Sequence, residues 1–356
     1  MRAAMGPGSQ TMILALVTPY YFPSVRGNSI TVQRIESGLR DQGLTVQVFS
    51  LDQQGPDAIL AGLRRLRPDV IHGFHATRTG PLVGEAGRDL DVPAVITLTG
   101  TDVNLDLFNP ASRPIVLEVL EAARAIVVFH ASIRDKLVRE VPATGPRIRV
   151  IGQTVRCDEK VYDLRGKLAL GPGDLVVFQP AGIRRVKNIP VVIPPLTTLQ
   201  RRHANLRYVL AGPVIEADEG DQVEAMLRER PWAFYLGAVS HEAICAILSS
   251  VTVVINSSLS EGGMSNAVLE AMSKGVPVLA SDIDGNRSVI VDGQDGFLFR
   301  SEAEFLEKAE RLLADPALRY TIGRRAKHKI AAHFSLEGEI GGYLTLYQSL
   351  TTERRI

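Results

Sequence analysis

Two stretches of the chain concentrate side chains that could do chemistry. In PAGIRRVKN, Gly182 follows an apolar run, and Arg184, Arg185 and Lys187 emerge together behind it. Forked guanidiniums and an ammonium can grip a diphosphate, the former through paired hydrogen bonds and the latter as a point charge. A solvated turn is the plain alternative. In VINSSLSEGGMSNAVLEAMSKGVPVLASDIDGN, an apolar strand ends near Asn256 and a glycine-bearing polar loop follows. A helix is predicted to begin near Ser265, with Ala267, Val268, Ala271 and Met272 facing inward. Gly263, Met264, Ser265 and Asn266 then present free backbone N–H groups at a helix start, an arrangement that holds anions. Glu261 in the loop and Glu270 in the helix offer acceptor oxygens suited to the hydroxyls of a nucleotide sugar, one for ribose and one for hexose. The alternative is that Glu261 complements the helix dipole and Glu270 is solvated. The small and apolar residues around Glu270 argue against an idle role.

Such groups must be carried by strands that end side by side. Short β-rich runs recur with helical stretches between them: MILALV at Met12, TVQVF at Thr45, DVIH at Asp69, AVITL at Ala94 and AIVVF at Ala125. After a charge-rich stretch without a long apolar run, Cys157 to Gly173, a second series follows: LVVFQPA at Leu175, LRYVLAG at Leu206, AFYLG at Ala233, VTVVIN at Val251, PVLAS at Pro277 and GFLF at Gly296. Runs apolar on both faces suit parallel strands covered by helices on each side. Ile30, Val32, Ile35 and Leu39 fall near a 3.6-residue period, and Gly43 then stops their helix. The expected fold class is α/β, with two doubly wound parallel-sheet domains. The boundaries are an extension over 1–11, a first domain over 12–156, a linker over 157–173, a second domain over 174–334, and a C-terminal helix over 335–356 that packs back on the first domain.

Forty basic against thirty-nine acidic residues leave a formal charge of +1, so there is no basic surplus to neutralise a nucleic acid backbone. The two cysteines, Cys157 and Cys245, lie far apart with no paired Cys or His spacing, which signals neither a disulfide framework nor structural zinc. A reducing, cytoplasmic setting is the expectation. Met12 to Val17 is too short to span a bilayer. The first strand ends in TPYYFPSVRGNS, where Pro19 and Pro23 replace the glycines of a dinucleotide fingerprint, and Val161 stands where a P-loop needs its first glycine. The basic cluster Arg324, Arg325, Lys327, His328 and Lys329 reads as a solvated helix face. Asp89 to Asp91 and Asp282 to Asp284 form D-x-D triplets, a pattern common by chance, and no catalytic metal is expected.

The run SEGGMSNAVLEAMSKGVPVLAS resembles the signature of glycosyltransferase family 4, the group 1 glycosyltransferases of GT-B fold. Strand spacing, PAGIRRVKN and the returning C-terminal helix are similar to that family, so the likeness covers nearly the whole chain. It implies two Rossmann-like domains facing a cleft, a nucleotide diphosphate sugar (a UDP-sugar such as UDP-GlcNAc) as donor, retention of configuration and no cofactor. It implies that Glu270 binds ribose, Glu261 the sugar hydroxyls, Arg184 or Arg185 with Lys187 the diphosphate, and the main chain from Leu236 to Val239 the base. Gly27 and Asn28 match the glycine-rich loop that closes over the donor. The glutamates stand nine positions apart rather than the family's usual eight, the GIRRVK spacing is compressed, and Thr99 stands where many members carry a histidine before Gly100. Some features, GN, LTGTD and EGG, are similar to the selenosugar synthase branch, whose acceptor is selenophosphate.

The first domain is expected to hold the acceptor, with Arg26, Thr31, His72, His75, Thr99 and Asn104 as candidates. Asp102 is the nearest ionisable group to the missing histidine, and acts either as an acceptor base or as a helix cap. His72 and His75 have the spacing of a metal pair without a third ligand nearby, or contact acceptor or backbone. Asp102, Lys187, Arg184 and Glu261 are thus the catalytic candidates. Rival readings are a nucleotide-sugar epimerase and a binding protein without activity.

Overall fold

The computed structural model describes residues 11–21, 27–157, 161–261 and 263–353. The chain forms two compact units, one comprising residues 1–152 and 336–356, the other 153–335.

In the first unit six parallel strands lie in the order β2-β1-β3-β4-β5-β6. They are β1 (Ile13–Thr18), β2 (Thr45–Ser50), β3 (Val70–Phe74), β4 (Ala94–Thr97), β5 (Ala125–Val128) and β6 (Ile148–Val150). All residues of β3, β4 and β5 are buried, as strands covered on both faces must be. The helix Gly27–Asp41 buries Val32, Ile35 and Leu39, and Gly43 follows at φ 86°, a conformation that costs glycine least. The helix Leu336–Glu353 completes this unit. Its Ile340, Tyr343, Leu346, Tyr347 and Leu350 join Ile35, Leu39, Val70 and Phe74 in one core. A buried bidentate pair fixes the helix, with Arg34 Nε and an Nη atom donating to Glu339 at 2.8 and 2.9 Å.

In the second unit the order is β12-β11-β10-β7-β8-β9. The strands are β7 (Leu175–Pro180), β8 (Leu206–Ala211), β9 (Ala233–Tyr235), β10 (Val253–Asn256), β11 (Val278–Ser281) and β12 (Phe297–Phe299). The chain runs outward from β7 to β9, returns to place β10 against β7, and continues the other way. β7 and β10 therefore flank the topological switch point, the place where open α/β sheets bind ligands beyond their strand carboxyl ends.

Two expectations are corrected here. Residues 157–173 are not a free linker: Leu164 is 1% exposed in the core of the second unit, on the short helix Leu164–Lys167. Cys157 and Cys245 are joined in a disulfide with Cα atoms 5.4 Å apart. The fold, rather than any spacing rule, brings together two cysteines 88 residues apart, and the case for a reducing compartment loses its premise. No helix among the described residues is long and apolar enough to cross a membrane.

Candidate active site

The loops after β7 and β10 meet at the switch point of the second unit. Lys187 Nζ donates to Glu261 Oε1 at 2.5 Å although the two residues are 74 positions apart, because their strands are neighbours. The loops are also stitched through their backbones. Leu259 N donates to Val186 O at 2.9 Å, and Ser257 Oγ to Lys187 O at 2.7 Å. Both ends of the Lys187–Glu261 pair are mostly shielded from water. Burial would raise the Glu261 carboxyl pKa, but the Lys187 charge and hydrogen bonds from Lys187, Ser258 and Asn256 outweigh it and hold it below the usual carboxylate range.

Behind Glu261 lies a buried amide network. Asn256 Nδ2 donates to Glu261 Oε1 at 3.2 Å and to Ser265 Oγ at 3.0 Å. Its Oδ1 accepts from Ser258 N at 3.1 Å and from Asn286 Nδ2 at 3.2 Å. Gly285 backs the same loop, where an added methyl would lie 2.6 Å from Gly263 O and 2.7 Å from Glu261 Cβ. Ser265 is the N-cap of the helix Asn266–Lys274, but its hydroxyl is engaged by Asn256, so no side chain caps the helix. Met264 and Ser265 are buried, and Asn266 accepts from Gln153.

The two arginines separate. Arg185 is 81% exposed and faces Glu219 at 3.5 Å, whereas the Nε of Arg184 is buried with no hydrogen-bond partner among the described residues. Glu270, 4% exposed, is met by His241 Nε2 at 2.9 Å. His241 opens the helix His241–Leu248, which also carries Cys245. Leu236 and Gly237 follow β9 at the same sheet edge, with Gly237 at φ 68°. Asn256, Asn286, Gly285 and His241 are additions to the sequence-derived set. Only the buried Asn256 at the end of an apolar run carries a local signal.

In the first unit the expected groups are largely consumed by the fold. Asp102 is fully buried and accepts from four backbone N–H groups: Thr99 and Val103 at 3.1 and 3.0 Å, Gly100 at 2.7 Å, and Ala76 at 3.0 Å. It ties its own loop to the start of the helix Ala76–Leu90, the arrangement of a cap. His72 is buried between Tyr347 Oη at 2.6 Å and Thr97 Oγ1 at 2.7 Å, and burial pushes its pKa down to about 3. It packs as a neutral histidine within the first unit. His75, at φ 82°, contacts Thr101 Oγ1 at 2.7 Å, so the two histidines have separate partners and form no metal pair. Among the described residues no three His, Cys, Asp or Glu side chains gather as a metal site. Asp282 is bound by Arg287 and Arg300, and Asp89 by Arg64.

Asn28 Nδ2 donates to Thr99 Oγ1 at 3.3 Å, joining the start of the helix Gly27–Asp41 to the loop after β4. Thr31 is buried on that helix, and Asn104 Oδ1 accepts from Lys136 Nζ at 2.7 Å. Arg26 lies outside the described residues.

The family described as glycosyl transferases group 1 matches residues 162–329. A Xenopus tropicalis protein, glycosyltransferase 1 domain-containing protein 1, is 30% identical over 340 residues, 93% of this chain and 96% of its own length. The alpha-D-kanosaminyltransferase of Streptomyces kanamyceticus is 26% identical over 304 residues, 78% of this chain and 77% of its own. Among solved structures, Anabaena HepE in complex with UDP and glucose superposes with a TM-score of 0.80 at 16% identity, covering 95% of this chain and 100% of that one, which shows a shared GT-B fold. With a relative of this identity over nearly its full length, the chain belongs to the group 1 glycosyl transferases and is a glycosyltransferase enzyme.

Proposed function

We propose that the enzyme takes a nucleoside diphosphate sugar, specifically a UDP-sugar such as UDP-GlcNAc, on its second unit and transfers the sugar with retention to an acceptor recognised by the first. The observation that carries this reading is the juxtaposition of Lys187, Glu261 and the uncapped helix start after β10 at the switch point. An ammonium, the start of a helix without a side-chain cap and the Arg184 guanidinium together suit an anion, and the carboxylate of Glu261 beside them suits a sugar hydroxyl. Arg184 rather than Arg185 faces the diphosphate, since Arg185 is turned to Glu219 and solvent. Glu270 binds the ribose. As the glycosidic bond breaks, charge gathers on the leaving diphosphate, and Lys187 with Arg184 stabilises it there. These cations make a bound metal redundant, so transfer survives EDTA.

A thermal-shift comparison of UDP-, GDP- and ADP-sugars tests the donor. A ligand at about 100 times its Kd adds ~2.7 kcal/mol, and the largest shift is expected with the UDP-sugar. Lys187→Ala is expected to cut kcat/KM at least ~100-fold. Glu270→Ala weakens binding of UDP itself, while Glu261→Ala spares UDP and damages use of the sugar donor. If both glutamate variants bind UDP like the parent, the assignments are wrong. An acceptor panel that includes simple hydroxyl compounds and selenophosphate distinguishes acceptor classes.

A further inference from the structure

Glu270 is nearly sealed from solvent, and a buried carboxylate facing a ligand needs a partner that fixes its plane. The partner here comes from another element. His241 stands at the first position of the helix His241–Leu248, whose start is fixed by Ser240 Oγ accepting from Ala243 N at 3.3 Å. Four residues on, on the same face, Cys245 is bonded to Cys157, so this end of the helix is tied covalently to the segment that opens the second unit. Cys245 Sγ lies 3.9 Å from His241 Nε2, and that nitrogen lies 2.9 Å from Glu270 Oε1. The imidazole Nε2 thus lies between the disulfide sulfur and the carboxylate. A carboxylate has about four lone-pair sites over two oxygens. One engaged by an N–H leaves the others in a set orientation for a vicinal diol.

We propose that His241 is a positioning residue of the donor site: through Nε2–H it locks the Glu270 carboxylate in the orientation that receives the two ribose hydroxyls, and so carries the enzyme's preference for a ribonucleotide. The inference rests on the assignment of Glu270 to ribose. It needs no movement of the helix and no proton transfer, only a donor at the Nε2 position. A glutamine there can supply the same donor, whereas a leucine fills the space without one.

The test is calorimetric binding of UDP and of 2′,3′-dideoxy-UDP to the parent, His241→Ala, His241→Leu, His241→Gln and Glu270→Ala proteins, with the unfolding midpoint of each measured alongside. The parent is expected to prefer UDP. His241→Ala and His241→Leu lose about tenfold in UDP affinity and almost none for the dideoxy compound, so the preference collapses. His241→Gln restores it to within about threefold, a rescue that a purely packing role would not give. A wild-type preference in His241→Leu overturns the inference, whatever His241→Ala does to folding. If Glu270→Ala also keeps the preference, the assignment of ribose to Glu270 falls with it. If Glu270→Ala loses the preference and His241→Leu keeps it, only the positioning role is refuted.

Discussion

At the scale of single residues, burial decides which polar side chains are available for chemistry. Asp102 is the clearest case, since its carboxylate is fully buried and accepts from four backbone amides. Asp102→Ala would leave those buried donors unmatched and is expected to cost about 3 kcal/mol or more in urea unfolding, with Asp102→Asn recovering part. Full stability combined with lost transfer would return Asp102 to the reacting groups. His72 gives a pH signature. Its pKa falls from the ordinary 6.5 to about 3 in the folded chain, so the unfolded state takes up the proton first. The stability present above pH 6.5 is then lost at ~1.4 kcal/mol per pH unit as pH falls toward 3. His72→Gln is expected to remove about one proton from that acid limb, read from urea midpoints between pH 7 and 4. An unchanged slope would assign the limb to other groups. Glu261 has the same sign with a lower window: its depressed pKa gives stability that is present above the ordinary glutamate range and lost only below it.

At the scale of elements, the sequence is most readable where strands are covered on both faces. The central strands β7, β8, β10 and β11 announce themselves because most of their residues are buried and apolar, whereas β6 has three residues, two of them exposed at a sheet edge, and gives no comparable run. The two halves of the anion site are each visible as local patterns, but their meeting is not. It depends on β10 returning to pair with β7, an order set by packing and absent from any window of sequence. His241, Asn286 and the partner of Cys157 are hidden for the same reason, since each draws its role from an element far away in the chain. The disulfide makes an element-scale prediction. Closing an 88-residue span restricts the unfolded chain by up to ~4–5 kcal/mol in the chain-entropy treatment. A dithiol reductant should lower the thermal unfolding midpoint of the parent by several degrees and leave a Cys157→Ser, Cys245→Ser double variant unmoved. Equal responses of the two proteins would deny the bond a part in stability.

At the scale of the whole molecule, the two units differ in how the chain supplies them. The second is one continuous stretch, 153–335, while the first is assembled from 1–152 and 336–356. The late segment is not trim. Glu339 neutralises the buried Arg34, Tyr347 meets the buried His72, and Ile340 packs where a methyl on Gly38 would come within 2.5 Å of it. On the ribosome, therefore, the unit that begins first is finished last. The second unit has all its strands before Leu336 is made, but the face bearing Ile35, Leu39, Val70 and Phe74 waits uncovered until the helix Leu336–Glu353 emerges. For that interval the nascent chain carries an open apolar surface and an unneutralised arginine, a state in which holdase chaperones would find it.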